Sequence, residues 1–128
     1  SMSAMRYYLG GFGVVLLAVT ACGSKPTSPS GPPVVTNTIT ISASGVNPKS
    51  VQVALGSRVL VVNNDSRSHN MTSDPHPEHT DCPDINQVGF LSPGQSRETG
   101  NLVAVRTCGF HDHDNPDNAG LKGTITIK

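Results

Sequence analysis

An all-β domain built as a sandwich or barrel is what this sequence predicts, and three observations predict it. Ten Pro and thirteen Gly in 128 residues leave little room for long helices. The β-branched residues gather in short runs that alternate or are continuously apolar. Turn-forming clusters separate those runs at the close spacing typical of stacked or closed sheets.

The runs can be taken in order. Residues 38–42 (TITIS), 51–55 (VQVAL) and 124–127 (TITI) alternate at period two, the pattern of a strand with one face buried. Residues 59–62 (VLVV) are apolar throughout and suit a strand buried on both faces. Turn signals lie at 45–48, 56–57, 63–68 and 92–94. Between Asn70 and Leu91 there is little periodicity and much Pro, Asp and His, which predicts a long loop, and long ordered loops in small domains usually carry function.

Residues 1–22 read as an address. Arg6 precedes the apolar run 9–18, the charged start and short hydrophobic centre of a secretory signal. The run is too short to span a bilayer comfortably. The small residues Val19-Thr-Ala21 lead into Cys22 and resemble the lipobox of bacterial lipoproteins. That resemblance implies acylation of Cys22, a membrane partner through the lipid anchor, and an exported protein in the bacterial cell envelope, periplasmic or on the outer surface. Residues 23–33 are rich in Pro, Ser and Gly and form a tether reaching roughly 30 Å when extended. The folded domain is then 34–128.

Charge excludes one class of partner. Nine Lys plus Arg balance nine Asp plus Glu, so no basic stripe exists to displace counterions from nucleic acid. Beyond the N-terminal segment only Phe90 and Phe110 are aromatic, too few for a base-stacking platform. Neither a Gly-x-Ser-x-Gly elbow nor a His-Glu-x-x-His motif occurs, which disfavours hydrolases.

All five His fall between positions 69 and 113. His69 follows the Asn63-Asn-Asp turn. His76 and His79 lie in Asp74-Pro-His-Pro-Glu-His79 with Cys82 just beyond, and Cys108-Gly-Phe-His111-Asp-His113 follows a strand expected to end near Thr107. Imidazole and thiolate suit copper or zinc better than calcium or magnesium. Asp112, Asp114, Asp117 and Asn118 superficially suggest a calcium loop but lack the Gly its sharp turn requires. In an extended backbone His111 and His113 face the same way and Phe110 points oppositely, into the core. Met71, two residues after His69, shares its strand face.

The order of these segments resembles the cupredoxin family, the small copper-binding β-sandwiches that include plastocyanin and azurin. The resemblance spans most of 34–128. It rests on Asn47 to Asp65 followed by Ser68-His69, on Leu91-Ser-Pro-Gly-Gln-Ser96, on Cys108-Gly-Phe-His111, and on Leu121-Lys-Gly-Thr-Ile-Thr-Ile127. It implies a cupredoxin-like Greek-key β-sandwich with one copper as cofactor. It further implies electron transfer by a type 1-like site with His69 and Cys108 as ligands and His111 or His113 as the second imidazole. Leu121 stands where that family often has an axial Met.

Three departures open an alternative. With Cys22 lipidated, Cys82 and Cys108 are the remaining pair in an oxidising compartment, and a disulfide would leave no thiolate. The surplus donors His76, His79 and Met71 suit copper capture or delivery, as does the all-imidazole site of His69, His111 and His113 that the disulfide would leave. The long loop after His113 makes the family's ligand geometry insecure. The partner expected on either reading is a redox or copper-exchange protein. A minor alternative comes from Gly109 to Ala119, which resembles the copper-binding signature of copper–zinc superoxide dismutase, although Asp112 replaces the apolar residue expected there. Apart from that dismutase-like activity, the sequence reads as a binding protein and not an enzyme.

Overall fold

The computed structural model describes residues 31–128. The expectations for the signal, the lipid anchor at Cys22 and most of the tether lie outside the described residues. Ten strands form two sheets: β1 (Val34–Val35), β2 (Thr38–Ser42), β3 (Gly45–Asn47), β4 (Ser50–Val53), β5 (Leu60–Asn63), β6 (His69–Ser73), β7 (Gly89–Leu91), β8 (Ser96–Glu98), β9 (Arg106–Asp112) and β10 (Gly123–Ile127). The six-stranded sheet has the order β1-β4-β10-β9-β6-β7, and the four-stranded sheet β3-β2-β5-β8. No helix among the described residues is long and apolar enough to cross a membrane.

The alternating runs become strands because each can bury one row of side chains. Ile39, Ile41 and Val61 of the smaller sheet are buried, as are Val51, Val53, Ile125 and Ile127 of the larger. Each such side chain contributes about 1.5–3 kcal/mol relative to exposure. Edge strands β1, β3, β7 and β8 are only two or three residues long, which limits the unpaired backbone they present.

Two expected boundaries move. His69–Ser73 is not loop but a central strand, held by β7 on one side and β9 on the other, so the irregular segment starts only at Asp74. Strand β9 begins where the sequence suggested it would end, and it carries Cys108 through Asp112 in extended form. Its antiparallel ladder with β10 pairs Cys108 with Ile125 and Phe110 with Gly123. Segment 74–88 then crosses the end of β6 and includes a short 3-10 helix, Pro83–Gln87.

Candidate metal centre

Register decides which donors meet. Met71 lies opposite Asp112, Thr72 opposite His111 and Ser73 opposite Phe110. Cross-strand partners share a face and neighbours along a strand do not. Cys108, Phe110 and Asp112 therefore share the inner face with Met71 and His69, while His111 lies on the outer face of the six-stranded sheet. His113 follows two residues later, with its backbone N–H donating to the Asn70 carbonyl at 2.7 Å.

Segment 74–82 brings the other two imidazoles to that outer face. The Asp74 N–H donates to the Gly109 carbonyl at 3.0 Å, and the Gly109 N–H donates to Asp81 Oδ2 at 2.9 Å. A Cβ at position 109 would collide with the Asp74 carboxylate, so this closeness requires glycine. Asp81 also pairs with Arg106. The Asn86 side chain donates to the His79 carbonyl at 2.9 Å and accepts the Ser73 N–H at 2.8 Å. His79 itself has φ 56°, a left-handed conformation uncommon for a side-chain-bearing residue, and such strain gathers at functional sites.

Four imidazoles converge there. Ring centroids of His76 lie 5.5 Å from His79, 5.5 Å from His111 and 5.1 Å from His113, and His79 lies 5.0 Å from both His111 and His113. One nitrogen from each of His76, His79 and His111 falls within 4.8 Å of the others. His79 Nδ1 donates to the Ser73 carbonyl at 2.8 Å, which fixes the tautomer and leaves the lone pair on Nε2. That Nε2 faces His113 Nδ1 at 2.9 Å. His111 Nδ1 is 2.5 Å from Asp74 Oδ1, so its lone pair also sits on Nε2.

The His111 Nε2 atom is buried and has no hydrogen-bond partner. A buried acceptor without a partner costs about 1–3 kcal/mol. A cation among the four rings would supply the missing interaction, and a ligating His commonly donates its other N–H to a carboxylate or carbonyl, as His111 and His79 do here. Uncharged imidazole donors suit copper or zinc.

The residues do not fit a thiolate-containing copper set. Cys108 is joined to Cys82 in a disulfide with Cα atoms 5.9 Å apart, so its sulfur is not a thiolate, and Cys108 is corrected from ligand to structural bridge. His69 is likewise corrected. It is buried on the inner face, with Nδ1 2.7 Å from Asp112 Oδ2 and Nε2 2.8 Å from Asp65 Oδ2, so neither nitrogen is free for a metal. Met71 packs in the core on that same face, away from the four imidazoles. Leu121 is buried as a core residue. His111 and His113, alternatives for one ligand position in the sequence, join the same cluster, and His76 and His79 become its other half.

The two carboxyls around His69 are both held below their ordinary value of 3.8. For Asp65 the hydrogen bond from His69 is the main cause, opposed by burial and aided by the Ser66 N–H and Arg67. For Asp112 burial is the largest influence and pushes upward, but hydrogen bonds from His69, the Asp114 and Asn70 N–H groups and Asn115 together outweigh it. Sequence spacing did not single out Asp65 or Asp74 as partners of the histidines. Their only signal was proximity to His69 or His76 in turn-rich segments.

The domain has a cupredoxin fold. Solved structures similar to it include a purple cupredoxin from Nitrosopumilus maritimus, 18% identical, covering 73% of this chain and 100% of that one with a TM-score of 0.57. The oxidized plastocyanin of Dryopteris crassirhizoma is 21% identical over 71% of this chain and 99% of its own, TM-score 0.55. Reduced auracyanin from Roseiflexus castenholzii is 20% identical over 74% and 99%, TM-score 0.50. No protein-family model matches the sequence, and no curated protein matches it.

Proposed function

We infer that this is an exported copper-binding protein that holds one copper ion through His76, His79, His111 and His113, and captures or delivers that ion. The buried, unpartnered Nε2 of His111, on a ring whose donor atoms gather with those of His76 and His79 beside His113, carries the reading. Copper is favoured over zinc because nitrogen donors bind Cu(II) more tightly than other divalent first-row ions. The fold likeness supports the same choice: a structural neighbour from Thermus scotoductus is described as a Cu-containing nitrite reductase, of which this chain matches 23%. The disulfide agrees with an oxidising compartment. The lipobox-like segment before Cys22 supports membrane tethering.

Each residue has a distinct part. Asp74 and the Ser73 carbonyl orient His111 and His79, so their lone pairs are set before an ion arrives. His111 is buried while His76 is exposed, which makes His76 the ligand that an incoming donor from a copper-exchange partner reaches first. Bound copper would supply a transferable soft cation able to change oxidation state. Type 1 electron transfer, the leading expectation from the resemblance, loses support because it needs a thiolate that Cys108 does not offer.

Titrating the protein, purified without reductant, with one equivalent of Cu(II) tests this reading. Copper retained through desalting, with only a weak ligand-field band and nitrogen hyperfine splitting in the EPR spectrum, is the expected result. An intense blue or green charge-transfer band would instead restore the thiolate and electron transfer. No retained copper overturns both. Superoxide turnover above that of free copper would revive the dismutase-like alternative.

A further inference from the structure

His69 stands where the family resemblance places a copper ligand, yet it is locked between two carboxylates. The side chains of Asp65, His69 and Asp112 are 2%, 2% and 0% exposed. Both ring nitrogens lie within hydrogen-bond distance of a carboxylate oxygen, and an ionised carboxylate only accepts. The ring therefore spans the gap between the two carboxylates. The Asp65 end is fixed by the Ser66 N–H at 2.8 Å and Arg67 Nε at 3.1 Å.

The other end reaches the imidazole cluster. Asp112 sits between His111 and His113 with its side chain on the opposite face from theirs. Its Oδ1 accepts the Asn70 N–H at 3.2 Å and the Asp114 N–H at 3.0 Å, and its Oδ2 takes the Asn115 side chain at 3.3 Å as well as His69 Nδ1. One carboxylate thus sets both the end of β9 and the turn that leaves it. Rotating that carboxylate would move the backbone from which His111 and His113 project.

We propose that His69 is a positioning residue for the four-imidazole centre: held by Asp65, it fixes the Asp112 carboxylate and through it the placement of His111 and His113. The proposal rests on the metal-site reading above. His69 acts from behind the sheet as a strut and touches no ion. It also explains why a histidine stays at a ligand position whose metal is held elsewhere: the ring bridges two buried carboxylates that would otherwise repel one another unpaired.

Two measurements test it. In the unaltered protein, the ring-nitrogen NMR shifts of the five histidines are followed while Zn(II) is added. Those of His76, His79, His111 and His113 should move strongly and those of His69 should not. Strong movement of His69 nitrogens to a metal-bound shift overturns the proposal. In Cu(II)-loaded H69Q, pulsed EPR should count the same number of coordinated imidazoles as in the parent, with changed copper hyperfine coupling and affinity lowered about tenfold. Loss of one coordinated imidazole, or a spectrum and affinity identical to the parent, overturns it. If H69Q does not fold, D65N, which weakens the far end of the strut only, replaces it and should shift the hyperfine coupling in the same direction by a smaller amount. An unchanged D65N spectrum then counts against the strut. Failure of the parent to hold either metal is a separate result, which removes the site itself.

Discussion

Cys82 is bonded to Cys108, and that bridge joins the two halves of the imidazole cluster: the segment bearing His76 and His79, and the strand bearing His111 and His113. The bonded residues are 26 apart in sequence. Closing a loop of that size stabilises by about 3 kcal/mol through the unfolded chain. The C82S/C108S variant should therefore melt well below the parent, and it should bind copper more weakly even at temperatures where it remains folded. Calorimetry and competition with a chelator measure the two effects. Unchanged affinity in the folded variant would show that segment 74–82 holds its place without the bridge.

Asp74 orients His111 and does not contact the ion in the proposed site. Replacing it as D74N keeps the shape but weakens the acceptor for Nδ1–H. Copper affinity should fall about 10- to 100-fold with little loss of folding stability. Isothermal titration together with thermal melting separates the two.

Gly109 is the point where Asp74 crosses β9. A methyl group there meets the Asp74 carboxylate and must displace it. G109A should therefore retain the sandwich, read by circular dichroism, and lose most copper affinity. An affinity equal to the parent would mean that Asp74 is not fixed over the strand as described.

Acid sensitivity follows from the carboxyls around His69. Both Asp65 and Asp112 have depressed values in the folded protein. A depressed carboxyl contributes stability that is present above its ordinary value near 3.8 and is lost as pH falls through the lower folded value. Stability should therefore decline steeply below about pH 4. D65N should be less stable at neutral pH and show a shallower decline in acid, as measured by denaturant melts across pH.

Much of the sandwich was legible because its strands alternate. Residues 38–42 and 124–127 became strands as their period-two patterns required, with Ile39, Ile41, Ile125 and Ile127 turned inward. The site was only half legible. Local parity correctly set His111 and His113 together and Phe110 opposite them. What parity along one strand cannot tell is which residue of β6 lies across from which residue of β9, some forty positions away. That register places Asp112, not His111, on the side of His69. The strand at His69–Ser73 was hidden because polar Thr72 and Ser73 are buried there through ladder pairing and packing that the sequence pattern does not display. His76 and His79 looked secondary because nothing local shows that the Asp74 and Asp81 contacts fold their segment back over β9.

The four imidazoles lie on the outer surface of the larger sheet, with the apolar interior on its other side. Where a small domain wraps its interior around an ion, losing the ion unravels the fold and binding energy becomes folding energy. In the proposed site the donors lie outside that interior, so a protein stripped of copper should keep its sandwich and take the ion up again without refolding.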